Sequence, residues 1–124
     1  MTNKEFYAKW MENFAGDVSK EDIEKYVVST GNYIWHIFSW ELLEKNQYLI
    51  GNKAKKAYNK IDKTGAIYMD WFNDEPPKDL IPDLNTAKAL DDYTEVYVVG
   101  KNFEWTYIKT HEGMCGPYFM KRKL

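Results

Sequence analysis

Residues 95–109 read EVYVVGKNFEWTYIK. Two runs rich in β-branched and aromatic residues, Glu95 to Val99 and Phe103 to Lys109, flank Gly100-Lys101-Asn102, whose Gly and Asn accept the positive φ of a hairpin connection. This predicts an antiparallel pair, with Phe103, Trp105 and Tyr107 on one face of its second strand. Upstream, the turn Asp62-Lys63-Thr64-Gly65 leads into a predicted strand from Ala66 to Phe72 that is mixed on both faces and holds one charge, Asp70. Further back, nearly every position from Tyr33 to Trp40 is apolar or aromatic. Tyr33, Trp35 and Ile37 would share one face and Ile34, His36 and Phe38 the other, the pattern of a central strand buried on both sides. Downstream, Tyr118 to Met120 supplies a last short strand.

Helical spacing accounts for the remainder. Phe6, Trp10 and Phe14 recur at four-residue steps with Tyr7 and Met11 alongside, which predicts a helix over 3–14 ended by Gly16 and Asp17. Ser19 is an N-cap for a second helix, with Glu21 and Asp22 at the positive end of its dipole. Asn52 to Ile61 forms an amphipathic surface helix with Ala54, Tyr58 and Ile61 on its apolar side. Residues 73–83 hold three of the four prolines and predict the longest loop, after which Asn85 caps a brief helix through Leu90. A chain of 124 residues is too short for two independent cores, so residues 1–124 read as a single α+β domain. The expected architecture is a largely antiparallel sheet of four to five strands packed against three to four helices.

Composition removes several classes of function. Seventeen basic residues stand against 19 acidic ones, a formal charge of −2, and Arg122 is the only arginine. Nucleic-acid binding needs a basic surface and favours the bidentate guanidinium, so no nucleic-acid partner is expected. Lys53, Lys55, Lys56 and Lys60 lie at helical spacing and mark a solvated face. No window approaches the roughly 18 apolar residues of a membrane span, and Met1 to Ala15 interleaves charges with aromatics and lacks the apolar core of a signal peptide. One cysteine agrees with a reducing compartment, so the expected location is the cytoplasm, with no membrane partner. The departure from average composition is aromatic: ten Tyr, six Phe and five Trp make up 17% of the chain, enough to build both a core and a binding face.

Three groups of residues could carry chemistry. In His111-Glu112-Gly113-Met114-Cys115-Gly116, a thiol and an imidazole lie four apart in a glycine-rich loop, which makes Cys115 and His111 candidates for a nucleophile and its base. The competing reading is a small buried thiol beside a loop histidine. A metal site would need two further ligands, and the chain offers only His36 and no second cysteine, so no metal and no cofactor is expected. The second group is His36 with Asp70: if their strands pair with matching faces, they form a polar pair lining a ligand pocket, and otherwise His36 is a satisfied structural histidine. The third is aromatic. Trp35, Trp40, Trp71, Trp105, Tyr107 and Tyr118 could line a groove for a sugar, base or peptide, or could fill the core. No phosphate-binding glycine loop, GxSxG or HExxH is present, so the familiar nucleotide, hydrolase and metalloprotease templates fail.

The segment Tyr33-Ile34-Trp35-His36-Ile37-Phe38-Ser39-Trp40, together with Trp105-Thr106-Tyr107, His111-Glu112 and Cys115-Gly116-Pro117-Tyr118-Phe119, resembles the bacterial domain-of-unknown-function family 4275. The resemblance implies a small cytoplasmic domain and carries no catalytic or binding role onto His36, His111 or Cys115. The leading expectation is a non-enzymatic module that binds a protein partner, immunity-like or regulatory in kind, using Trp71 and the Pro76-Pro77 loop. The rivals are a small thiol enzyme built on Cys115 and His111 and a small-molecule pocket around His36 and Asp70.

Overall fold

The computed structural model describes residues 1–122. Along the chain lie α1 (Asn3–Phe14), α2 (Lys20–Tyr26), α3 (His36–Ser39), β1 (Tyr48–Ile50), α4 (Asn52–Lys60), β2 (Ile67–Asp70), β3 (Lys78–Asp79), α5 (Ala87–Leu90), β4 (Val96–Val99), β5 (Trp105–Lys109) and β6 (Tyr118–Lys121). The hairpin forms, with Val98 opposite Tyr107 and Val99 opposite Thr106, but its second strand begins at Trp105, and Phe103, held in the turn, packs in the core opposite the one that takes Trp105 and Tyr107 instead of sharing their face. Its connection is a 3-10 turn over Lys101–Phe103, in which Asn102 and Phe103 both take a positive φ of 57°. Gly100 meets a different demand there, because the Trp105 indole lies so close that a Cβ would fall 2.2 Å from its Nε1.

All six strands join one antiparallel sheet in the order β1-β6-β5-β4-β2-β3. The fold is α+β, with six strands in place of four to five and five α-helices in place of three to four among the described residues. The two extra strands, β1 and β3, are edge strands of three and two residues. Segments that short carry no readable alternation and exist only because a neighbour pairs with them.

The main departure is at Tyr33 to Trp40, which is no central strand. Its backbone closes on itself: Ser39 N–H donates to the Trp35 carbonyl and Trp40 N–H to that of His36, forming α3. The residues it buries most deeply are Ile34, Ile37 and Phe38, spaced i, i+3 and i+4. A run apolar at every position satisfies the helical and strand periods equally, so tertiary contacts decide between them.

Alternation along the central strands creates two cores. On one face, Met69, Tyr97, Val99, Ile108, Tyr118 and Met120 pack against Phe6, Trp10 and Phe14 of α1 and against Ile34, Ile37 and Phe38. On the other, Val96, Val98, Trp105, Tyr107 and Phe119 pack against Ala54 and Tyr58 of α4 and Ala87 and Leu90 of α5. Each core ties a buried polar atom into a specific bond. Trp10 Nε1 donates to Thr106 Oγ1 at 2.9 Å, and the Tyr58 hydroxyl donates to the Leu84 carbonyl at 2.7 Å. Helix ends follow the sequence signals: Thr2 and Glu5 form a capping box on α1, and Ser19 caps α2. The cap of α5 is Thr86, one residue beyond the expected Asn85, which instead closes a 3-10 turn over Pro82–Leu84. Among the described residues, no helix is long and apolar enough to cross a membrane.

Candidate functional site

Glu95 immediately precedes β4 and alternates with Tyr97 and Val99, so its side chain faces the α1 core, where its exposure is 0%. Burying a carboxylate requires a full set of donors, and four are present. Its Oε1 accepts from Trp35 Nε1 at 3.0 Å and from the His111 backbone N–H at 3.2 Å, while Oε2 accepts from the Tyr97 hydroxyl at 2.5 Å. The fourth contact, 2.6 Å long, joins Oε1 to His111 Nδ1. Indole and amide N–H groups can only donate, so Oε1 is an acceptor and the imidazole must place its proton on Nδ1. Burial first, and the Glu95 charge second, hold the Tyr97 hydroxyl far above the ordinary tyrosine range, which keeps it protonated as a donor. His111 is therefore a fixed ring whose second nitrogen, Nε2, faces outward, 3.5 Å from Glu112 Oε1.

His36 is oriented in the opposite sense. Its Nδ1 accepts from Trp40 Nε1 at 2.9 Å, so the neutral ring carries its proton on Nε2. Burial lowers its pKa, the Glu95 carboxylate pulls the other way, and His111 reinforces the lowering. The two imidazoles sit on either side of Tyr33, His36 stacked at 6.0 Å and His111 at 4.8 Å between centroids. Contacts continue in both directions. Trp40 meets Tyr26 at 5.3 Å, and Phe72 meets His111 edge-on at 5.8 Å. The result is an unbroken stripe, Tyr26–Trp40–His36–Tyr33–His111–Phe72, whose members Trp40 and Phe72 are 52% and 56% exposed.

The candidates read from sequence divide accordingly. His36 and His111 both lie in the stripe. Asp70 does not pair with His36: it shares a face with Tyr68, which packs on the α4 core, and its carboxylate accepts from the Phe72 N–H. The expectation failed because His36 is on α3 and has no strand register to share. Trp105, Tyr107 and Tyr118 are at most 4% exposed and fill the cores, so they are no ligand face. Trp71 is half-buried, edge-on to Tyr97 at 5.5 Å, with the exposed aromatic role passing to its neighbour Phe72. Cys115 packs at the margin of the α1 core, and His111 makes its bonds to Glu95, with none to Cys115 among the described residues.

Sequence reasoning missed Glu95, Tyr33 and Phe72. For Glu95 a signal existed: a lone acid at i with Tyr97 and Val99 at i+2 and i+4, in a strand apolar on both faces, is aimed at the interior. Among the described residues no cluster of three or more His, Cys, Asp or Glu is arranged to hold a metal.

A family model described as "Domain of unknown function (DUF4275)" matches residues 3–119. No curated protein and no solved structure matches the chain.

Proposed function

The chain belongs to the DUF4275 family, and on that premise we propose that it is a non-enzymatic bacterial cytoplasmic module, immunity-like or regulatory, that binds a protein partner through the aromatic and imidazole stripe. The observation that carries this reading is the stripe's exposure at Trp40 and Phe72 over an anchored interior. Large exposed rings contiguous over a surface are what interfaces use as anchors, and rigid side chains lose little entropy on binding. Glu95 adds rigidity from beneath by fixing His111. The test places a photo-crosslinking phenylalanine analogue at position 72, at position 40 and, as a control on another exposed surface, at Ile81, in the cell of origin. One crosslinked protein common to positions 72 and 40 and absent from 81 is expected. No product, or the same products from all three positions, removes the reading.

A thiol enzyme is the second reading, and one observation favours it: His111 is held through Nδ1 by a buried carboxylate with Nε2 on the other side, beside Glu112, the arrangement of an oriented base. On that reading, alkylation of Cys115 by iodoacetamide at neutral pH slows at least about tenfold in His111→Ala. Equal rates in the two proteins end it.

A further inference from the structure

The sheet ends in two edges, and they are built differently. β3 is two residues long, both charged, and lies between Pro76-Pro77 and Pro82, which closes that edge to further pairing. β1 carries no such block. The Gly51 N–H donates to the Pro117 carbonyl, so by antiparallel alternation Leu49 is the residue of β1 whose N–H and C=O bond to β6. The N–H and C=O of Tyr48 and Ile50 therefore point away from the sheet, and no other segment bonds to them among the described residues. Ile50, on the α1 side, is 53% exposed, and Leu49, on the α4 side, is 38% exposed. α4 packs over β1 and β6. Its Asn59 Oδ1 accepts from the Ala87 N–H of α5, the helix that leads into β4, so the Asn59 flank faces the middle of the sheet. Lys53, Lys56 and Lys60, at i, i+3 and i+7, lie on the flank turned away, toward the open edge, and all three are exposed.

We propose that β1 accepts an added strand from a partner protein, an extended acidic segment whose backbone bonds to Tyr48 and Ile50 and whose carboxylates lie beneath Lys53 and Lys56. Main-chain bonds to an open edge supply affinity whatever the sequence of the incoming strand, and the side chains around the edge choose among strands. Here the choice is electrostatic. From Lys45 to Ile61 the chain holds five lysines and no acid, on a molecule whose net charge is −2. Lys53, Lys56 and Lys60 form no ion pair among the described residues. Ile50 and Leu49 add apolar contact on the two faces of the incoming strand. A second copy of the chain is disfavoured by the same charges. Two β1 strands pairing antiparallel about a twofold axis would bring both α4 helices to one face and set their lysine rows against each other, the way natural sheet edges resist self-association. The surface shares no residue with the aromatic stripe and is independent of it.

The probe is an acetylated and amidated octapeptide of alternating glutamate and valine, added to the full chain and followed by NMR. The Ile50 amide proton should shift downfield in a saturable way, and its exchange with solvent should slow at least about tenfold as a strand bond forms. Two control peptides separate the sources of binding. Lysine in place of glutamate keeps the alternation and reverses the charge, and methylation of every backbone nitrogen keeps the charge and removes the donors. Each should bind at least about tenfold more weakly. The double variant Lys53→Glu with Lys56→Glu, both on the exposed side of α4, should lose about tenfold in affinity for the glutamate peptide with its melting temperature unchanged. Four results would overturn the proposal: no saturable shift at Ile50, a control peptide that binds as well as the first, unchanged affinity in the double variant, or Ile50 protection that grows with protein concentration alone, which would make a second copy the occupant.

Discussion

His36 shows how one hydrogen bond selects a protonation state. The Trp40 indole can only donate, so it stabilises the neutral ring, and burial acts in the same direction. The folded-state pKa is thus below the unfolded value of about 6.5. As pH falls through the unfolded value, the unfolded chain takes up a proton before the native one, so stability declines with acidification until the lower folded pKa is passed. The imidazole resonances of His36 should titrate below the usual histidine midpoint, and Trp40→Phe should raise that midpoint. His36→Gln should remove part of the fall in melting temperature on going from neutral pH to the acid side of that window. Glu95 invites a second measurement. Glu95→Ala strands the Trp35 indole N–H, the Tyr97 hydroxyl and both His111 donors in the interior, and at about 1–3 kcal/mol for each unsatisfied group the loss should be about 3 kcal/mol or more by urea denaturation. Glu95→Gln keeps a carbonyl oxygen for these donors and should lose clearly less.

At the scale of elements, the hairpin was readable because its two strands alternate in a fixed register and Asn102 tolerates the positive φ of the turn, whereas the positive φ of Phe103, which turns that ring into the α1 core, has no signal in the sequence. Gly100 matters for a different reason. Its φ of −77° is open to any residue, so the cost of Gly100→Ala is steric alone, a methyl forced onto the buried Trp105 indole. Overpacking of this kind costs about 1–3 kcal/mol, and thermal unfolding should show it. Gly51→Ala is the contrasting case, with open space around the methyl but a φ of +66° and ψ of −134° that L residues avoid, and its cost should be about 1–3 kcal/mol from backbone strain alone. Tyr33 to Trp40 was not readable in the same way. Each of its residues is apolar enough for either period, and its helical turn is selected by where Ile34, Ile37 and Phe38 meet α1 and the sheet. Misplacing His36 on a strand then misplaced its partner, so the pairing with Asp70 failed for the same physical reason. His111 was legible as a loop histidine, whereas the Glu95 beneath it depends on which way a strand faces, a property that spacing alone leaves half-determined.

For the molecule as a whole, β4 and β5 form a wall common to two cores, with Tyr97 and Ile108 facing one and Val98 and Tyr107 facing the other. Neither core can lose its wall alone. Thermal unfolding should therefore be one transition, with calorimetric and van't Hoff enthalpies equal and with tryptophan fluorescence and circular dichroism following the same curve. Separate melting of the α4 and α5 layer would show that the two sides are less coupled than the shared strands imply. The single domain and its antiparallel character were legible in composition and in the hairpin, but the strand order depends on contacts that span most of the chain. β6 lies between β1 and β5, and the residues paired in β1 and β6 run from Tyr48 opposite Met120 to Ile50 opposite Tyr118. On a ribosome, β1 has no strand to pair with until residues 118–121 have emerged, so its backbone waits, unpaired, through the synthesis of α4, β2, β3, α5, β4 and β5. Closure of the sheet is thus a late, non-local and comparatively slow event, and during that wait the exposed Leu49 and Ile50 are where a nascent chain would be most open to a chaperone or to a neighbouring copy of itself.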